Sequence, residues 1–230
     1  ATLTDTVTVT SADGAATKNI TITIPGTNDV PQITVTGNND TGAVTEDAAT
    51  ITASGTLQIS DADTGESKFA AATHSGNYGS LQIAEDGAWT YTLTNASVQS
   101  LAKDETATDD ITVSSYDGSA SQKISITITG TNDTPQITST SPAADFTASI
   151  VEDTATITGQ LAISDADSGE DKFTVQTADT APSYGTFSIT DGGAWTYALD
   201  NTLTAVQSLA KDATLTDTVT VTSADGAATK

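Results

Sequence analysis

An 18-residue stretch, ATLTDTVTVTSADGAATK, fills residues 1–18 and returns unchanged at residues 213–230. Between the two lies a related copy, so that Leu3–Asp29 aligns with Ala107–Asp133 at an offset of 104 residues. Gly26-Thr27-Asn28-Asp29 reappears as Gly130-Thr131-Asn132-Asp133, and X-Pro-Gln-Ile-Thr follows each. Self-similarity at a fixed period restricts the chain to an array of like units. The natural cuts fall after Asp29 and Asp133. They give the tail of one module at 1–29, a complete module at 30–133, and at 134–230 a module without its final strand. The piece lacking corresponds to Asn19–Asp29, so the sequence reads as a window on a longer polymer. An alternative is that neighbouring chains complete one another head to tail.

Within each unit the pattern is that of strands. Thr6-Val7-Thr8-Val9-Thr10, Ile20-Thr21-Ile22-Thr23-Ile24 and Ile124-Ser125-Ile126-Thr127-Ile128 alternate strictly, with apolar side chains on one face and hydroxyls on the other. This is the signature of a half-buried antiparallel strand, and β-branched Thr suits its wet face. Asp-Gly pairs at 13–14, 86–87 and 117–118 supply turns between such runs. The complete module is expected to hold seven strands, near 32–36, 50–59, 67–73, 79–84, 88–94, 107–115 and 122–129, with one helical turn near Val98–Ala102. Seven short strands in a unit of this size predict an all-β chain of tandem two-sheet sandwiches of immunoglobulin-like type.

Charge is the second constraint. The chain carries 30 Asp and Glu against 7 Lys and Arg, a formal net charge of −23. Too few cations are present to meet nucleic-acid phosphates. With no Cys, disulfides, zinc fingers and thiol chemistry are excluded. No apolar run approaches the length of a membrane span. High charge with few large apolar residues is also the composition of disordered chains, so these modules need a further source of stability.

The acidic residues suggest that source. In a seven-strand sandwich Asp29, Asp61, Asp63 and Asp117 fall together at one end. Glu46, Asp47 and Asp104 fall at the other, facing Asn132, Asp133 and the following module's Asp165, Asp167 and Asp225. Oxygen-only clusters suit Ca²⁺, which takes six to eight oxygens, better than Mg²⁺, which demands tighter octahedral geometry. The expected metal ligands are therefore Asp29, Glu46, Asp47, Asp61, Asp63, Asp117, Asp133, Asp165, Asp167 and Asp225. The loop is not an EF-hand, because Gly65 comes one position early and Ala72 stands where a bidentate Glu is required.

Other candidates give way to simpler accounts. His74 is the only histidine, is expected in a loop, and has no second histidine or Cys with which to form a triad or transition-metal site. Trp89 and Trp195 alternate with Tyr91 and Leu93, and with Tyr197 and Leu199, which places them in a core rather than on a sugar platform. The carboxylates gather at repeat ends rather than around one cleft, so no catalytic residues and no enzyme are expected.

The ordered set Gly55–Glu66, Tyr78-Gly79-Ser80-Leu81, Gly87-Ala88-Trp89-Thr90-Tyr91, Val98-Gln99-Ser100-Leu101 and Gly130–Pro135 resembles the VCBS-type repeat of giant bacterial surface proteins. The resemblance spans the whole chain. It implies immunoglobulin-like or cadherin-like extender modules of RTX-type adhesins, secreted to the cell surface for attachment and biofilm formation. Asn132-Asp133-Thr134-Pro135 and Asp165-Ala166-Asp167 are also similar to the junctional calcium motifs of cadherins. The expected role is a calcium-stiffened spacer, each module adding on the order of 40 Å, whose partners are calcium ions and adjacent repeats. Direct glycan binding or homophilic adhesion, and self-assembly into an extracellular filament, are the alternatives.

Overall fold

The computed structural model describes residues 2–139, 146–179 and 182–230. Ala1, residues 140–145 and residues 180–181 of the expected modules lie outside the described residues.

The strands from Gln32 to Thr129 form a two-sheet sandwich. In chain order, after the hairpin of β1 (Thr2–Thr10) and β2 (Thr17–Pro25), its strands are β3 (Gln32–Thr34), β4 (Thr41–Thr45), β5 (Thr52–Thr56), β6 (Gln58–Ser60), β7 (Ala72–Ser75), β8 (Gly79–Ile83), β9 (Ala88–Leu93), β10 (Thr106–Ser114) and β11 (Ser121–Thr129). One sheet runs β5-β9-β8-β7, and β6 continues β5 to pair with β3. The other runs β10-β11-β4. Six of the seven expected strands are recovered, the one at 50–59 divided between β5 and β6.

Two local expectations needed correction. The segment 41–45 was not foreseen as a strand; it lies parallel to β11, with Thr41 opposite Ser125 and Thr45 opposite Thr129. Its apolar content is slight, and its ladder hydrogen bonds come from the neighbouring strand. The strand expected at 67–73 is instead an isolated bridge from Phe69 to Ser115, followed by β7, where the chain crosses to the other sheet. His74 therefore sits in β7 rather than in a loop. The helical turn lies at Asn95–Ser97, just before its expected place.

The core follows from alternation. Along β9 Trp89, Tyr91 and Leu93 are buried while Ala88, Thr90 and Thr92 face out. Across from it Ile111 and Val113 of β10 and Ile124, Ile126 and Ile128 of β11 close the second face. The Trp89 indole lies against Gly55, where a Cβ would sit 2.6 Å from Cζ2, and its Nε1 donates to the Asn39 carbonyl at 2.8 Å. Only a glycine admits this approach.

A carboxylate interrupts the apolar face of β10. Asp109 is fully buried and accepts from the backbone N–H of Asn77 (2.9 Å) and Tyr78 (3.1 Å) and from the Tyr91 hydroxyl (2.9 Å). Burial, together with Asp109, pushes the Tyr91 phenol well above its ordinary value. Asp217 repeats the arrangement with Ser183, Tyr184 and Tyr197. The inward position of Asp109 between Ala107 and Ile111 was visible in the alternation, but its partners come from a distant loop.

In residues 134–230 one sheet is complete. It runs β12-β13-β16-β15-β14, formed by β12 (Gln136–Ser139), β13 (Thr156–Ser164), β14 (Gln176–Asp179), β15 (Gly185–Ile189) and β16 (Ala194–Leu199), followed by the short helix α1 (Thr204–Gln207). On the opposite side residues 214–221 have no strand ladder, and among the described residues the bridges there are Phe173–Ser223 and Thr222–Thr229. Its buried cluster is small: Leu161, Phe173, Phe187, Ile189 and Val221.

Replacing Asp109 with Ala strands two backbone donors and one phenol in the core. The Asp109→Ala chain is expected to lose about 3 kcal/mol of stability in the 30–133 unit, read as an earlier urea transition by Trp89 fluorescence. Asp110→Ala, one position along on the outer face, is the control and should shift it little.

Candidate metal centres at the linkers

Each linker meets a loop shaped by Asp-x-Asp. At the first, the Asp29 N–H donates to Asp63 Oδ2 (2.7 Å) and the Asp63 N–H to Asp61 Oδ1 (2.8 Å). Asn28 Nδ2 donates to Asp117 Oδ2 at 3.0 Å. The second repeats these contacts: Asp133 N–H to Asp167 Oδ2 (2.8 Å), Asp167 N–H to Asp165 Oδ1 (3.0 Å), and Asn132 Nδ2 to Asp225 Oδ2 (3.1 Å). Short loops joined by such bonds hold several carboxylates in one orientation.

The second linker gains a wall from the preceding sandwich. Glu46 is fully buried at the end of β4, and its Oε1 accepts the Thr131 N–H at 2.8 Å. Asp47 follows with φ of 53° and accepts from Gln99 Nε2 at 3.1 Å. A backbone bond from Ser168 N to the Ser100 carbonyl, 3.1 Å, ties the two sandwiches directly. Asp104 takes φ of 64° in an exposed turn and donates its N–H to the Gly130 carbonyl.

Two sets of three carboxylates each bring one oxygen within 4.8 Å of the others: Asp61, Glu66 and Asp117, and Asp165, Glu170 and Asp225. Of the ten expected ligands, Asp61 and Asp117 thus come together at the first linker and Asp165 and Asp225 at the second. Asp29 and Asp63 border the first set through the bonds above, and Glu46, Asp47, Asp133 and Asp167 border the second. Glu66 and Glu170 were missed. Their signal was the recurrence of Asp-Ala-Asp-x-Gly-Glu at 61–66 and 165–170, whose final position was passed over because the turn that folds it back was not visible.

Buried carboxylate oxygens with no hydrogen-bond partner mark both places. At the second linker they belong to Glu46, Asp133, Asp165, Asp167, Glu170 and Asp225; at the first, to Asp61 and Glu66. An orphaned buried polar atom is costly, and a buried charge more so, unless a cation meets it. The donor set is all oxygen and strongly anionic, with no histidine or thiol in it, so it fits a hard divalent cation.

The electrostatics agree. Burial raises the Glu46 carboxyl above its ordinary value, with Asp47, Asp133 and Asp167 adding repulsion against the bond from Thr131. Burial also raises Asp133, reinforced by Asp47, Asp167 and Asp165, and raises Glu170, reinforced by Asp167, Asp225 and Asp165. Asp117 and Asp225 move the other way: bonds from Ser115, Ser119 and Asn28 hold the first low, and against burial the bonds from Ser223 and Asn132 hold the second low.

These are linked all-β sandwiches with acidic joints, and the family follows. Residues 28–130 and 132–230 each match the bacterial cadherin-like domain, and the chain belongs to that family. Membership suggests an adhesion or extender role. No curated protein matches the sequence. Among solved structures, protocadherin γB3 domains 1–4 share 15% identity over 96% of this chain and 60% of that one, with a TM-score of 0.49. Protocadherin γB2 domains 3–6 share 14% over 93% and 53%, with a TM-score of 0.47. The human desmocollin-1 ectodomain shares 14% over 96% and 39%, with a TM-score of 0.37. The chain spans little more than half of the protocadherin γB2 chain. The fold assignment rests on the family match and the ladder order above.

The raised carboxyls set the sign of a pH effect in metal-free protein. A group with a raised native pKa stabilises the fold below the ordinary carboxylate range, and that stability is lost as pH climbs through the raised value. Asp117 works oppositely, but only as pH falls below the ordinary range. Chelated protein is therefore expected to melt higher at about pH 5 than at about pH 7.5, and Glu46→Gln should shrink the difference. Differential scanning fluorimetry in chelator checks both.

Proposed function

We propose that the chain is a non-catalytic, calcium-stiffened spacer of a large bacterial surface adhesin, projecting a binding domain outward for attachment or biofilm formation. The observation that carries this reading is the convergence on Thr131–Asp133 of unpartnered buried carboxylate oxygens from two successive sandwiches, Glu46 from one and Asp165, Asp167, Glu170 and Asp225 from the other. Calcium at that place would bind both sandwiches and the linker between them. Asp29, Asp61, Asp63, Glu66 and Asp117 would hold calcium in the same way at the first linker.

Within this reading the modules divide at 29/30 and 133/134, and the chain is a stretch of VCBS-type repeats from an RTX-type protein, secreted to the extracellular face. No helix among the described residues is long and apolar enough to cross a membrane. Extracellular modules bind Ca²⁺ at about 10⁻⁴–10⁻³ M, a level met outside cells and not within them, so stiffening would follow export.

Calcium at millimolar concentration is expected to raise the melting temperature of the 230-residue chain, because an ion bound only by the native state stabilises it. It should also narrow the spread of end-to-end distances in small-angle X-ray scattering. Asp133→Asn with Asp167→Asn should weaken calcium binding at least tenfold by titration calorimetry while the apo chain stays folded. Equal melting points and scattering curves in calcium and in chelator would overturn the proposal.

A further inference from the structure

A pull along the chain reaches the sandwich of β3 to β11 through its first and last strands. Tension enters from residues 28–31 and leaves through residues 130–135, which lead on to β12. β3 meets the pull first, held by three residue pairs to β6, from Gln32 opposite Ser60 to Thr34 opposite Gln58. β4 is next, and it lies parallel to β11 over five facing pairs, from Thr41 opposite Ser125 to Thr45 opposite Thr129.

Parallel pairing of these two strands decides how the pull acts. Tension draws β4 back toward the first linker and β11 forward toward the second, so the strands are driven past one another along their own axes. The bonds between them are then strained together, whereas strands peeled from one end lose their bonds one at a time. A single backbone bond contributes little, so resistance depends on how many share the force.

The ladder is reinforced at both ends. The Ser125 N–H donates to the Asp40 carbonyl at 2.9 Å, and the Glu46 N–H donates to the Thr129 carbonyl at 3.1 Å. Side chains add to each end: Gln122 Nε2 donates to Asp40 Oδ2 (3.2 Å), and the Thr131 N–H donates to Glu46 Oε1 (2.8 Å). The inner face is apolar, with Ile126 and Ile128 fully buried beside Val44. At Gly42 a Cβ would lie 2.8 Å from both Ala53 Cβ and Ile126 Cδ1, so the backbone of β4 is pressed close onto the core. Val44 is nevertheless the one buried residue of β4, and pairing rather than burial explains what the strand does.

We infer that the β4–β11 pair, from Asp40 to Glu46 and from Ser125 to Thr131, is a tension clamp that keeps the sandwich folded while the chain is pulled lengthwise. Glu46 belongs both to this clamp and to the acidic joint, so the segment that resists the pull ends where the linker begins. The clamp rests on the spacer reading only for its use. Measured in chelator, it stands or falls apart from calcium binding.

Direction of pull supplies the test. The chain has no native Cys, so paired cysteines in the full chain serve as handles for single-molecule force spectroscopy in chelator. Thr27→Cys with Thr134→Cys loads the clamp in shear. Thr45→Cys with Thr129→Cys, at facing positions, peels the same clamp from one end. At equal pulling speed the first pair is expected to yield at several times the force of the second, releasing about 300 Å of chain. Proline substitution adds a second measurement, because forced unfolding is governed by the unfolding barrier. The bonds at Asp40 and Glu46 set the alternation: the N–H groups of residues 42, 44 and 46 face β11, and those of 41, 43 and 45 face away. Val44→Pro in the shear-handled chain is therefore expected to lower the rupture force, and Ala43→Pro to leave it close to that of the parent. Should Val44→Pro fail to fold by Trp89 fluorescence, the two pulling directions decide alone. Equal forces in the two directions, or equal loss of force from the two prolines, would overturn the clamp. So would weak rupture in chelator with strength gained only in calcium, which would assign the resistance to the joints.

Discussion

Carboxylates forced together at a joint govern much of this molecule. Glu46 and Asp133 sit where burial and neighbouring negative charge both oppose ionisation. Hydrogen bonds from backbone N–H groups satisfy one oxygen of each of Glu46, Asp165 and Asp167 and leave the other free. The short loops hold unpaired anions close, at a cost that a divalent cation would offset. The same local order recurs at both linkers, so the joint is a property of the repeat rather than of one place in the chain.

The sandwich serves this joint by geometry. Strand β4 leaves its parallel pairing with β11 at Thr45, and the next residue is Glu46, delivered to the exit of β11 where the linker begins. The turn after β6 folds Asp61, Asp63 and Glu66 against the turn between β10 and β11 that carries Asp117. Each module thereby presents one half of a joint at each end. Strand pairing sets the distance between halves, and residues 130–135 join β11 to β12.

Internal polar chemistry supports the frame. With few aromatic residues, 5% of the chain, the core depends on Trp89 and Tyr91 being held in register. The Asp109 carboxylate does this by binding the Tyr91 hydroxyl and the turn ahead of β8 together. Where β11 has no counterpart, in residues 134–230, the second sheet loses its ladders while the first keeps all of its strands. The two sheets therefore differ in self-sufficiency: one closes locally through hairpins, whereas the other depends on a strand near the end of the repeat.

Alternation of Thr with Val and Ile, the period near 104 residues and the recurring Asp-x-Asp loops determined by themselves that this is an array of acidic β modules with carboxylates gathered at their ends, because those signals are local and repeat in register. The tertiary structure alone decided how 41–45 becomes a strand, why Asp109 is tolerated in a core, and that Glu66 and Glu170 join the acidic clusters. Each depends on a partner distant in sequence or on a turn that reverses the chain: β11 for β4, the 76–78 turn for Asp109, and the β10–β11 turn for Glu66. Hydrogen bonds and charge repulsion are set by separation in space, which the sequence encodes only through the whole fold.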